Sequence, residues 1–154
     1  MASAIALHNV PEGMTIGASY AHEGMIGKAA LLLAAAENTG MLRTQLEEAL
    51  AYTRYLLGQE VLGEPVVCKA LGGMEEDELR KRSHRPQDFY GKPHFMPSFG
   101  DSPEVLYLNK IRTLIRSTEL TALKAHPTRT DMIRALNRLS SAVYIMMIKC
   151  KIDN

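Results

Sequence analysis

Residues 136–150 place Leu136, Leu139, Val143, Met146 and Cys150 at alternating spacings of three and four. Only an α-helix brings such positions onto one face, and an apolar face of that length has to be buried against other helices. The other side of the same segment carries Arg134, Asn137, Arg138, Ser141 and Tyr144. The preceding segment places Asn109, Arg112, Arg116 and Glu119 at spacings of three, four and three, again one helical face. Two helices with matched polar stripes are open to two readings. Three of these arginines, with the carboxylate and an asparagine, can form a polyphosphate site, because guanidinium forks fit phosphate oxygens. The same residues can equally be wet helix faces laced with intrahelical ion pairs.

The rest of the chain reads as helical too. Residues 25–37 are rich in Ala and Leu and are closed by Asn38, Thr39 and Gly40, a first helix with its stop signal. Residues 41–62 place Leu42, Leu46, Ala49, Thr53, Leu56 and Glu60 on one face, with Glu47, Glu48 and Arg54 on the wet side. Gly63-Glu64-Pro65 ends that helix. Ser102, Pro103 and Glu104 suit the N-cap and first turn of a third long helix, which stops before Pro127. The fourth starts near Thr130 or Asp131 and runs to about Lys151. The expectation is an all-α, antiparallel four- to five-helix bundle with a long loop between the second and third long helices. Residues 1–24 read as an irregular, glycine-punctuated lead, and residues 25–154 as the helical domain.

The loop, residues 63–102, holds Pro65, Pro86, Pro93 and Pro97 and one expected short helix, Glu75 to Ser83. Structureless loops beyond about 12–15 residues tend to carry function. All three phenylalanines, Phe89, Phe95 and Phe99, sit in it. His84 and His94 flank Asp88 there; without cysteines nearby they read as surface or hydrogen-bonding residues, and no metal site is expected.

Composition excludes several classes. A length of 154 residues fits one domain, and 46% hydrophobic with 23% charged residues is ordinary for a globular chain. A net charge of +1 gives no bulk attraction to nucleic acid or to a membrane surface. Cys68 and Cys150 form no CxxC pair, so neither a disulfide framework nor a cysteine-rich zinc site is indicated, and a reducing cytoplasm is the expected setting. The Ala/Leu run Ala29 to Ala36 is far short of the ~20 residues that span a bilayer.

The segment ALNRLSSAVYIMMI resembles the NRLS helix of the ATP:cob(I)alamin adenosyltransferases, and Arg112, Arg116 and Glu119 resemble the arginine-rich helix before it. The ordered series LGEPVVCKALGGMEEDELRKRSHRPQDFYGKPHFMPSF, a helix ending in ELTAL, then NRLSS is similar to the ethanolamine-utilisation branch of that family, over roughly residues 42–152. The resemblance implies transfer of the 5′-deoxyadenosyl group of ATP to the cobalt of reduced cobalamin, with release of triphosphate. Cobalt is the nucleophile, so no protein nucleophile is implied. Arg112, Arg116, Glu119, Asn137 and Arg138 match positions that contact ATP. Phe89, Phe95 and Phe99 are candidates for an apolar wall that displaces the corrinoid's lower ligand, or simply for anchors of the loop. ATP and cobalamin are the implied substrates, with Mg2+. Because the family's ATP lies between subunits, a homotrimer, or else a homodimer, is implied, with a cobalamin-dependent ammonia-lyase as recipient of the product.

The N-terminus departs from the family. The phosphate loop of the propanediol-utilisation type is missing, and Ser141 stands where that type has an acidic residue. The segment ALHNVPEGMTIGASYAHEG instead resembles the HNxPEG segment of ZIP metal transporters, in which positions matching His8, Asn9 and Glu12 ligate metal and Pro11 bends a membrane helix. With no full-length span, it reads as a chance match or a foreign leader. Alternatively AHEGMIGKAAL is a worn form of the adenosyltransferase opening, which makes Lys28 a phosphate contact. The competing functional classes are a catalytically silent corrinoid- or nucleotide-binding helical module, a structural helical assembly protein and a metal-transport fragment.

Overall fold

The computed structural model describes residues 41–153 of the chain. The expected first helix at 25–37, the N-terminal lead, the HNxPEG segment and Lys28 lie outside them. The described residues form five helices and no strand: α1 (Met41–Leu62), α2 (Glu76–His84), α3 (Pro86–Tyr90), α4 (Pro103–Ala125) and α5 (Thr130–Asp153).

The ends of these helices follow from local chemistry. α1 stops where Gly63 takes a left-handed φ of 70° and donates its N–H to Glu60, while Glu64 donates to Gln59. A side chain at Gly63 would be strained in that conformation, and Pro65 then forbids a further turn. α2 has Glu76, Asp77 and Glu78 in its first turn and Lys81, Arg82 and His84 in its last, both favourable to the helix dipole. In α4 the Ser102 hydroxyl accepts the Val105 N–H, and Pro103 occupies the first turn. Residues 126–129 then reverse the chain into α5, so α4 and α5 pack as an antiparallel hairpin.

α5 is the centre of the molecule: α1, α2, α3 and α4 all pack against it. Leu46, Ala49, Tyr52 and Leu56 bring the inner face of α1 to it, and Val105, Leu108, Ile111 and Ile115 that of α4. The sequence pattern gives α5 one apolar and one polar side. In the fold every residue from Leu139 to Ile148 is buried, including Ser140, Ser141 and Tyr144. The polar side is covered because neighbours close over it from α4, from α2 and from the loop.

The long connection between α1 and α4 is pinned by side chains rather than by a sheet. Leu71 and Met74 pair around Gly72 and Gly73, both at positive φ, and the Gly72 N–H reaches Glu48 at 2.7 Å. Val66 N–H donates to Asp131 Oδ2 at 2.8 Å, and Val67 N–H to the Tyr55 hydroxyl at 3.0 Å. At the far end Asp101 accepts from Ser98 N–H and from Lys151 of α5. The expected short helix is α2, one residue later than its anticipated bounds, and α3 is an additional turn initiated by Pro86.

Candidate functional site

The stripes of α4 and α5 meet along the hairpin. From α4 come Arg112 and Arg116, one turn apart; from α5 come Asn137, Ser140, Ser141 and Tyr144. With Ser83 and His84 of α2 and His94 of the loop they line a cleft of ≈270 Å³. No carboxylate is among its lining residues, and two guanidinium groups are. Such a balance suits a polyanion with oxygens on several sides.

A chain of polar contacts sets the floor. Arg116 Nη1 donates to Glu119 Oε2, and Asn137 Nδ2 donates to Glu119 Oε1 at 3.1 Å. Arg138 Nη1 donates to Asn137 Oδ1 at 2.7 Å. Arg138 Nε lies 3.6 Å from Glu76 Oε1 of α2, and Arg134 Nε pairs with the same oxygen at the same distance. Glu119 and Arg138 are each about nine-tenths buried, their side chains 11% exposed, whereas Arg116 is 45% exposed. Both oxygens of Glu119 are therefore committed within the protein, and Arg116 still faces solvent.

The fold thus brings together most of the sequence-derived candidates but divides them. Arg112, Arg116 and Asn137 share the cleft just described. Arg138 faces a neighbouring cleft of ≈300 Å³, lined also by Glu119, Leu123, Pro127, Thr130, Ile133, Arg134 and Asn137. Asn137 belongs to both, so the Glu119–Asn137 contact is the ridge between them. Asn109, first residue of the α4 stripe, lines neither.

The phenylalanines occupy three different settings. Phe95 tilts against Tyr144, centroids 6.2 Å apart, with Lys151 over its ring at 4.8 Å, so it borders the site. Phe89 lies in α3 beneath Arg82 and Lys81, and Phe99 is fully exposed. Of the three, Phe95 is the one whose ring packs against an aromatic residue of the cleft.

His84, His94 and Ser83 enter the cleft from segments that helical spacing cannot relate to α5. His94 is engaged on both ring nitrogens: Nδ1 with the Tyr144 hydroxyl at 3.0 Å and Nε2 with the His84 carbonyl at 3.2 Å. His84 Nδ1 lies 2.8 Å from the Arg80 carbonyl. Glu76 is the residue that spacing gave no sign of, since its partners on α5 are some sixty positions away. Among the described residues no group of three or more His, Cys, Asp or Glu side chains is placed to hold a metal ion, and no helix is long and apolar enough to cross a membrane.

The thiols lie away from the cleft's chemistry. Burial pushes the Cys150 thiol up to about 11, helped by the charges of Glu104 and Asp153. Burial, then Glu76, raises Cys68 as well.

The family model described as Cobalamin adenosyltransferase matches residues 23–150, most of the chain and all of the arginine stripes. The chain belongs to that family. Among its curated relatives is the Corrinoid adenosyltransferase EutT of Escherichia coli (strain K12), 36% identical over 99 residues, which cover 60% of this chain and 37% of that protein. The protein of the same description from Salmonella typhimurium (strain LT2) is 35% identical over 99 residues, with the same coverage. The chain therefore spans little more than a third of the length of the curated relatives it matches. No solved structure matches it.

Proposed function

We propose that this adenosyltransferase-family chain transfers the 5′-deoxyadenosyl group of ATP to the cobalt of a reduced corrinoid, and that it serves ethanolamine utilisation. The observation that carries this reading is the carboxylate-free cleft in which Arg112 and Arg116 of one helix face Asn137, Ser140 and Ser141 of the family's NRLS helix. In the reaction the electron pair of reduced cobalt forms a bond to the ribose 5′ carbon. The bond from that carbon to the triphosphate oxygen breaks, and its electrons leave with triphosphate.

The protein's work is then positioning and charge stabilisation. Arg116, held by Glu119 at one nitrogen and about half exposed, would meet phosphate oxygens as charge accumulates on the leaving group. Arg112 would do so from one turn away, and the Ser140 and Ser141 hydroxyls would complete the cradle. Glu119 and Arg138 act from behind, by fixing Arg116 and the Asn137 amide. Phe95, which lies against Tyr144, would border the corrinoid, with Phe89 and Phe99 as the remaining candidates for its apolar wall. Mg2+ would arrive with the nucleotide. Association into a homotrimer or homodimer would complete the site, and a cobalamin-dependent ammonia-lyase would receive the product.

The decisive experiment mixes the chain with ATP and cob(I)alamin under strict reduction and follows loss of cob(I)alamin. Conversion to adenosylcobalamin with release of triphosphate is expected. Binding of ATP or corrinoid without product would make the chain a silent binding module instead, and binding of neither would leave a structural role.

A further inference from the structure

We propose that Tyr144 is a positioning residue for Arg112, and that His94 holds Tyr144 in that role, so that the loop segment around His94 sets the aim of an arginine that meets the nucleotide's phosphates. This rests on the cleft being the ATP site, and adds to it a part of the chain that helical spacing does not connect with the arginine stripe.

Tyr144 is only 4% exposed, yet it makes three specific contacts that an ordinary core aromatic does not need. The Arg112 guanidinium carbon lies 4.5 Å from its ring centroid. The His94 ring stacks on it, centroids 5.7 Å apart and planes within 9°. Its hydroxyl meets His94 Nδ1 at 3.0 Å. The direction of that bond follows from the other nitrogen. His94 Nε2 faces the His84 carbonyl, which can only accept, so Nε2 carries the hydrogen. In the neutral imidazole Nδ1 then accepts, and the phenol hydrogen points at it. The ring of Tyr144 is thereby fixed by a bond to the loop, and the loop by a bond to α2.

The two arginines of the cleft are oriented by different means. Arg116 is held by a carboxylate, which consumes part of its charge and one of its nitrogens. Arg112 rests on a ring face. A cation over an aromatic face is attracted by the ring quadrupole, and its in-plane N–H donors stay available for an anion. Arg112 thus keeps its fork, and the precision of that fork depends on where the Tyr144 ring sits.

A double-mutant cycle read by ATP binding tests this, with calorimetric titration of MgATP into the folded chain. Arg112→Ala should weaken ATP binding about tenfold or more, as expected for loss of a charged hydrogen bond. Tyr144→Leu should weaken it about three- to tenfold, and Tyr144→Phe and His94→Ala about threefold, in line with loss or loosening of a cation–π support. In the Arg112→Ala background each of these changes should have almost no further effect, because residues acting through one another are not additive. Additive losses in that background would overturn the proposal, because Tyr144 and His94 would then act on ATP binding independently of Arg112, with the ATP assignment intact. Wild-type ATP binding by Arg112→Ala would instead remove Arg112 from the nucleotide site, and the proposal with it. Circular dichroism identifies a Tyr144→Leu chain that fails to fold; the isosteric Tyr144→Phe and the loop variant His94→Ala then decide the matter alone.

Discussion

Arg138 donates to the side-chain oxygen of Asn137 at 2.7 Å and so dictates which way that amide faces. With the oxygen turned to Arg138, the Asn137 nitrogen can only point at Glu119, which it meets at 3.1 Å. An aspartate could keep the first contact but not the second, where it would set a carboxylate against a carboxylate. Asn137→Asp is therefore predicted to destabilise the hairpin by about 1–3 kcal/mol, the usual cost of a buried polar group left without its partner. Urea unfolding followed by circular dichroism measures it. An unchanged midpoint would show that the ridge between the clefts is not held by this amide.

Arg116 and Arg138 should behave differently when truncated. Periodicity and the family resemblance treat them alike, as arginines on polar stripes at positions that contact ATP. In the fold Arg116 is half exposed, whereas Arg138 is nearly enclosed between Asn137 and Glu76. Arg116→Ala should lower adenosylation about ten- to a hundredfold, a loss of about 1.5–3 kcal/mol of charged contact, and should cost less stability than Arg138→Ala, because water entering from the exposed Arg116 side can take its place at Glu119 Oε2. Arg138→Ala should lower stability by about 1–3 kcal/mol as well, because the Asn137 side-chain oxygen loses its donor and Glu76 keeps only Arg134 of its two arginines. Parallel melting curves and cob(I)alamin-loss rates separate the two. Equal melting temperatures for both variants would argue against the enclosed role of Arg138.

Asp131 links the start of α5 to the loop after α1. Desolvation works against its charge, but Arg129 and the N–H groups of Val66 and Met132 outweigh that and hold its carboxyl below the usual range. Asp101 is likewise lowered, by Lys151 first and Ser98 next. A carboxylate with a depressed folded pKa adds stability above its unfolded pKa, about 3.9, and that stability is lost as pH falls through the lower folded value. Asp131→Asn should thus cost stability at pH 7, and the difference from wild type should shrink below about pH 4. A difference that stays constant down to pH 2.5 would show that the carboxylate charge is not what matters.

The cysteines give a test of packing that needs no activity. At pH 8 the raised Cys150 thiol in the core should resist iodoacetamide until the chain unfolds, and half-buried Cys68 should react more slowly than a free thiol, since the thiolate is the reactive form. Mass spectrometry after timed labelling reads both. Fast native labelling of Cys150 would mean that the C-terminal turn of α5 opens readily.

Much of the fold was legible because its signals are local. The end of α1, the Ser102-Pro103 opening of α4 and its stop before Pro127 each follow from cap and proline chemistry within a few residues. α3 was not legible: five residues after Pro86 are too few to show a period. The burial of Ser140, Ser141 and Tyr144 was also hidden, because the groups that cover them, such as His94, lie fifty positions away. Spacing put the arginines on faces, but it cannot give the angle and offset between two helices. That relation sends Arg116 into one cleft and Arg138 into the next. The family resemblance was legible from NRLSS and its ordered neighbours, and the reach of the match, residues 23–150, supports it.

The position of α5 has a kinetic consequence. Its pairing with α4 closes a connection of only four residues, 126–129, whereas α1 can join it only after the long segment 63–102 has been looped out. Short-range closure comes at small entropic cost, so the α4–α5 hairpin is expected to form early and α1 to dock late. The arginine stripes would then face each other across a nascent hairpin before the histidine-bearing loop arrives. Refolding followed by hydrogen-exchange labelling should accordingly show amides of α4 and α5 protected ahead of those in α1.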